Sequence, residues 1–255
     1  MTRHTDGVTT LPDELRPYLS ALTALFRDAV GPDLVGAWLI GSAAQDAYEH
    51  GVSDVDVLAV TRSRHPEEAR ARLGRRVVHP TLRCPTVGLE FVWYALPDLK
   101  PLGDPVAFQL NVNGGLARPS VVQLAPDGPN HWAVLDLAAA RQVGVRLGDS
   151  PPAKDALPPV PDHRVAQAIR ESLAWHDGPD AGSPNRVLNL ARLLVLVEDG
   201  TWLSKQAGAQ TLVDHHPEFA DAVAEALRAR TERRWMDPHL ADPLSSLLQA
   251  ATAGR

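Results

Sequence analysis

Asp54 and Asp56 stand two residues apart at the head of the apolar run SDVDVLAV, residues 53–60. Side chains alternate along a strand, so Asp54, Asp56, Leu58 and Val60 share one face. At about 3.3 Å of rise per residue the two Asp Cα atoms lie roughly 7 Å apart, and both carboxylates can lean toward one point. Converging like charges raise each other's pKa. A divalent cation removes that penalty, and hard oxygen donors suit Mg2+. An isolated Asp-x-Asp, however, fits a solvated strand end better.

Three neighbours change the balance. Gly41-Ser42 ends the preceding apolar stretch and opens a short helix. Backbone N–H groups freed at such a turn seat a phosphate, although Gly-Ser also occurs in plain turns. Ser53 precedes Asp54, and its hydroxyl can bond phosphate or cap the turn. Glu90 interrupts the next apolar stretch, TVGLEFVWYA. Three carboxylates on adjacent strands beside a Gly-Ser turn form a constellation that chance does not readily produce.

The elements that must position these groups follow from periodicity. Leu15, Leu19, Leu22, Leu25 and Phe26 recur at helical spacing over residues 11–30, and Gly31-Pro32 ends that helix. Residues 33–40, 53–61 and 86–95 read as strands, and 65–73 as a helix with Pro66 in its first turn. Residues 97–129 carry no clear period, and 130–147 read as helix. The Pro-rich stretch GDSPPAKDALPPVPD reads as an interdomain connection. Beyond it the pattern is helical, over about 162–177, 185–198, 204–214, 217–233 and 239–252. The expected architecture is an α/β domain over residues 1–157, with a mixed sheet and flanking helices, followed by an all-α domain over 158–255.

Composition narrows the chemistry. With 44% hydrophobic residues the chain can bury a large core, yet its apolar runs are too short to span a bilayer. The N-terminus lacks the apolar segment of a secretion signal, so a cytoplasmic protein is expected, with no membrane partner. Cys84 is the single cysteine, which excludes an intrachain disulfide and a Cys-rich zinc site. It has no base partner in sequence and reads as a spectator. The net charge of −6 argues against nucleic acid as a partner and suits a cationic small substrate.

The order Gly-Ser, about ten residues, then Ser-Asp-x-Asp resembles the DNA polymerase β-like nucleotidyltransferase superfamily. The order of elements, the linker and the helical second half resemble, over roughly residues 33–235, the aminoglycoside adenylyltransferases that modify streptomycin and spectinomycin. The resemblance implies that Gly41, Ser42 and Ser53 bind the nucleotide phosphates, that Asp54 and Asp56 hold Mg2+, and that Glu90 is the catalytic base. It also places Arg192, in NRVLNLARLL, and Lys205, in TWLSKQAG, on the triphosphate of ATP. Read without it, Arg192 is a surface arginine in line with Asn185 and Asn189, and Lys205 is a first-turn lysine after the N-cap Ser204.

Trp175 and Asp180, in AWHDGPDAG, have the spacing of relatives that accept both drugs. An aromatic face and a carboxylate suit a hydroxyl-rich cation, but a core-packed helix-end Trp beside a polar loop fits equally well. His176 and Asp177 are weaker candidates. Two positions depart from the pattern. Gly115 stands near where relatives place an aromatic against the drug, and Arg230 or Thr231 near where they place a tyrosine against adenine. His215-His216 reads as a helix terminus, not a metal site.

The implied activity is transfer of AMP from Mg·ATP to an aminoglycoside hydroxyl, by a monomer, in the cleft between the two domains. The alternatives are adenylylation of a protein or another metabolite, and a non-catalytic ATP sensor. Intact Glu90 disfavours the sensor. The acidic balance disfavours a polymerase or tRNA-tailing enzyme.

Overall fold

The computed structural model describes residues 11–116 and 118–253. The chain forms two compact units. One takes the chain to Pro129 together with Ala139–Pro159; the other takes Asn130–Ala138 together with Val160 onward.

The α/β unit is built on a six-stranded mixed sheet of order β5-β4-β3-β2-β1-β6. Its strands are β1 (Leu34–Ile40), β2 (Val55–Thr61), β3 (Leu89–Ala95), β4 (Leu110–Gly114), β5 (Val121–Gln123) and β6 (Val145–Arg146). Among the described residues only the β2–β3 pair is parallel. Parallel neighbours need a crossover, and helix α2 (Glu67–Val77) lies within it. Helix α1 (Arg16–Val30) buries Leu19, Leu22 and Phe26 on the sheet face carrying Val55, Val57, Phe91 and Trp93. Phe26 meets Phe91 and Trp93 edge-on, with centroids 5.7 and 5.2 Å apart. Gly31, at φ 56°, ends α1 where the sequence predicts. On the opposite face Leu58, Val60, Val92 and Tyr94 are buried too. The run that begins with two aspartates therefore dives into a second apolar layer.

Several elements differ from expectation. The helix expected from Gly41-Ser42 through Ala47 is a 3-10 turn, Ser42–Gln45, ended by Asp46 in the left-handed region at φ 52°. Helix α2 starts at Glu67, after Pro66, and runs to Val77. The stretch without a clear period holds the one-turn helix α3 (Leu96–Leu99) and the β4–β5 hairpin. β4 alternates over only five residues, with Leu110, Val112 and Gly114 buried, while β5 has three residues and exposes Val121 and Val122, so no alternation marks the edge. Helix α4 (His131–Val143) yields to β6 after Gly144, and the linker contains the short helix α5 (Ala153–Ala156). The expected division at 157/158 puts all of α4 in the first domain, whereas its first residues are compact with the helical unit.

The helical unit comprises α6 (Asp162–Asp177), α7 (Pro184–Asp199), α8 (Lys205–His215), α9 (Ala220–Thr231) and α10 (Asp242–Thr252). Helix α7 is its centre: Val187, Leu188, Leu190, Ala191, Leu193, Leu194 and Val195 are all buried. Ser183 caps it by accepting from the Asn185 amide, Pro184 fits its first turn, and Gly200 ends it in the left-handed region. Arg186 is buried on α7 and donates to Asp177 of α6, Asp242 and Ser245 of α10, and the Pro238 carbonyl. Asp177, a weaker substrate candidate, is thus engaged in a structural ion pair.

Among the described residues no helix is long and apolar enough to cross a membrane. Cys84 is buried, and burial raises its thiol pKa, as a spectator requires. His216 caps the end of α8 and pairs with Glu198 at 3.1 Å, a helix-terminus contact.

Candidate active site

Strand register assembles the acidic group. On β2, Asp56 pairs with Ile40 of β1 on one side and with Glu90 of β3 on the other. Partners opposite one another in a sheet project to the same face, so Asp56 and Glu90 are neighbours there. Asp54, two residues before Asp56, joins them from the strand's entrance. On the far side of β3, Glu90 pairs with Asn113 of β4, whose amide approaches its Oε1 at 3.5 Å.

The Gly-Ser turn closes over this group. Gly41 sits at φ 66°, and a Cβ there would lie 1.9 Å from Asp56 Oδ2. The position therefore demands glycine on two grounds: its backbone conformation, and the space that the carboxylate takes up. Ser42 follows at the start of the 3-10 turn. Ser53 is buried, and its Oγ accepts from the Glu49 amide at 3.1 Å, so in this structure the hydroxyl caps its own turn.

Sequence reasoning missed Arg118 and Asn113. Arg118, on the β4–β5 hairpin, donates from Nη2 to Glu90 Oε1 at 2.7 Å, and the same nitrogen stands 3.6 Å from Asp54 Oδ2. Both residues fall in the stretch that periodicity left unassigned. The signal available was an amide and a cation in NVNGGLAR, in the segment that follows β3 beyond α3.

Among the described residues no three His, Cys, Asp or Glu side chains stand together as a ready metal cage. Magnesium does not need one, because it binds through one or two carboxylates plus water and phosphate oxygens. Asp54 and Asp56 are carboxylates of the type and number such a site uses, and the Arg118 guanidinium already rests against Asp54 and Glu90.

The helical unit holds a second cluster. Lys205 Nζ donates to Asn185 Oδ1 at 3.0 Å, so the two are linked and not separately solvated. Arg192 lies 5.9 Å above the Trp202 ring. Gly208 of α8 faces Arg192: a Cβ there would meet the arginine's Cβ at 2.7 Å and its Cα at 2.8 Å. That close approach of α8 to α7 helps fix where the guanidinium starts.

His176 is buried between Asp180, 2.8 Å from its Nδ1, and Asn189, 3.0 Å from its Nε2. Burial pushes its pKa down to about 4; Lys205 and Arg192 act in the same sense, and Asp180 opposes them. The ring is therefore neutral at pH 7, donating from Nδ1 to Asp180 and accepting at Nε2 from the Asn189 amide. Asp180 thus orients His176. Trp175 is not core-packed: it is 47% exposed and meets the His176 ring edge-on at 4.8 Å.

A stability signature follows. The unfolded chain protonates His176 near its ordinary 6.5 and the folded chain only near 4. Between those values the unfolded state binds more protons, so stability is full above pH 6.5 and falls as pH drops toward 4. The loss amounts to up to about 3 kcal/mol. Urea unfolding at pH 7 and pH 5 should show a smaller acid loss in His176→Gln than in the wild type. Equal losses in the two proteins would contradict this assignment.

The positions where family resemblance expects aromatics have local causes here. A Cβ on Gly115 would meet Gly88 Cα at 2.5 Å and Val87 O at 2.8 Å, so this backbone leaves no room for a ring. Thr231 closes α9 by donating to the Leu227 carbonyl at 3.0 Å.

Comparison with known proteins bears on the fold and on the second half of the chain. Residues 155–251 match the family model for the aminoglycoside adenylyltransferase C-terminal domain. No curated protein matches the chain. Among solved structures, the chain is similar to spectinomycin adenyltransferase AAD(9) from Enterococcus faecialis, solved with ATP and spectinomycin. The two are 16% identical, the match covers 92% of this chain and 98% of that one, and the TM-score is 0.67. The resemblance read from the sequence is thus borne out on two sides: residues 155–251 match the C-terminal domain of the aminoglycoside adenylyltransferases, and the chain has the fold of a spectinomycin adenyltransferase.

Proposed function

We infer that the protein is an adenylyltransferase that moves AMP from ATP to a hydroxyl of an aminoglycoside-type antibiotic, streptomycin or spectinomycin, and so confers resistance. The observation that carries this reading is the register pairing of Asp56 with Glu90, beside Asp54 and under the Gly41 turn. The match of residues 155–251 and the ligands of the similar structure support ATP and an aminoglycoside as substrates.

Each residue has a role that its environment suits. Asp54 and Asp56 hold Mg2+, which when bound neutralises phosphate charge and stabilises the attacking and leaving oxygens. The Gly41-Ser42 turn orients the phosphates, and Ser53 would have to leave its own turn to join it. Arg192 and Lys205 are the cations of the helical unit that suit a triphosphate. Glu90 accepts the proton of the drug hydroxyl as that oxygen forms a bond to the α-phosphorus; the bond to the β-phosphate oxygen breaks and pyrophosphate leaves. Trp175 offers its exposed face to the drug. Asp180 adds negative charge there while it holds His176. Residues 158–255 act as the substrate- and nucleotide-binding domain of a cytoplasmic monomer that needs no nucleic acid.

Incubation of streptomycin and spectinomycin with the protein and Mg·ATP, followed by mass spectrometry, tests the reading. One added AMP on either drug is expected. Pyrophosphate release only in the presence of a protein lysate, with both drugs unmodified, would favour a protein substrate instead.

A further inference from the structure

Carboxylates that crowd together without counter-charge repel one another. In the α/β unit a guanidinium pairs with two of them, Asp54 and Glu90. Arg118 sits on the hairpin between Gly114 and Val121, in a turn closed by the Gly115 amide donating to the Arg118 carbonyl at 3.0 Å. A single nitrogen, Nη2, makes a charge-assisted hydrogen bond to Glu90 Oε1 at 2.7 Å and stands 3.6 Å from Asp54 Oδ2. It therefore hydrogen-bonds Glu90 while standing within ion-pair range of Asp54. A divalent cation drawn to Asp54 meets a like charge beside it. The Arg118 side chain is 44% exposed and the two carboxylates are 28% and 42% exposed, so a rotamer change suffices to carry the guanidinium into water.

We propose that Arg118 is an internal counter-ion, pairing Asp54 with Glu90 in the metal-free protein and displaced when a divalent cation enters the acidic cluster. The inference rests on the proposed metal role of Asp54 and Asp56. It adds that the cation and the Arg118 pairing exclude one another, so that Glu90 Oε1 is released when the metal arrives. Arg118 is a positioning residue in this scheme and touches neither reacting atom.

The test uses Mn2+ alone, without nucleotide, measured by electron paramagnetic resonance on the wild type, Arg118→Gln, Asp56→Asn and the double variant. Arg118→Gln is expected to bind Mn2+ at least tenfold more tightly than the wild type, and Asp56→Asn to abolish binding in both backgrounds. A second readout needs no variant. Phenylglyoxal labelling followed by peptide mass spectrometry should find Arg118 protected in the metal-free wild type and reactive once Mn2+ is added. Affinity in Arg118→Gln equal to or weaker than wild type, or labelling unchanged by Mn2+, would overturn the exclusion while leaving the metal role of the acids standing. Mn2+ binding that survives Asp56→Asn would remove the metal assignment and this inference with it.

Discussion

Glu90→Gln is expected to lower turnover by about 10^2–10^4-fold while ATP still binds, because a positioned general base contributes on that scale. The change is nearly isosteric. Glutamine keeps the register with Asp56 and Asn113 but cannot take a proton from the attacking hydroxyl. The loss should therefore fall on kcat, with little change in KM for ATP. Pyrophosphate release under saturating substrates measures it. A variant retaining most of its activity would transfer the base role to another group, or show that none is needed. The second carboxylate on this face does not rescue the variant if Asp56 is committed to metal.

Asp56→Asn should be as damaging for a different reason. Asp56 is the centre of the acidic group, flanked by Ile40, by Glu90 and by the backbone of Gly41. Asparagine fills the same space, so the sheet and the turn should persist, but it removes a negative oxygen donor that a hard cation needs. Loss of metal stabilisation is worth several kcal/mol at the transition state, about 10^3-fold in rate or more. Activity should not return when Mg2+ is raised to high concentration. Circular dichroism and urea unfolding matching the wild type would locate the defect in chemistry. An Asp56→Asn protein with wild-type Mg2+-dependent turnover would end the metal assignment.

The acidic group was legible because a strand forces a period of two and a sheet forces register. Asp54 and Asp56 could share a face only if residues 53–61 formed a strand, and Glu90 could join them only from an adjacent strand. The helices after the linker were equally plain, since Leu188, Leu194 and Val195 define the buried side of α7 at helical spacing. What sequence did not disclose were contacts made by tertiary approach. Arg118 reaches Glu90 from 28 residues away, across a hairpin whose edge strand is too short and too exposed to show alternation. The neutrality of His176 arises from burial between α6 and α7, a property of packing that no local spacing encodes. Asp180 illustrates the same limit: its 2.8 Å contact with His176 comes from packing that its spacing from Trp175 does not encode.

The turn after β1 also shows where local rules run out. Gly41-Ser42 promised the start of a helix, and the chain instead makes a short 3-10 turn, because Asp46 takes a left-handed conformation four residues later. The turn's backbone is shaped by the close approach of Gly41 to Asp56, not by a helix terminus.

Nucleotidyl transfer at these carboxylates is tested most directly by anomalous X-ray scattering from crystals grown with Mn2+ and a non-hydrolysable ATP analogue. A manganese peak within coordinating distance of both Asp54 and Asp56, with the analogue's phosphates against the Gly41-Ser42 turn, is the expected result. A bound analogue whose manganese sits away from Asp54 and Asp56 would contradict it.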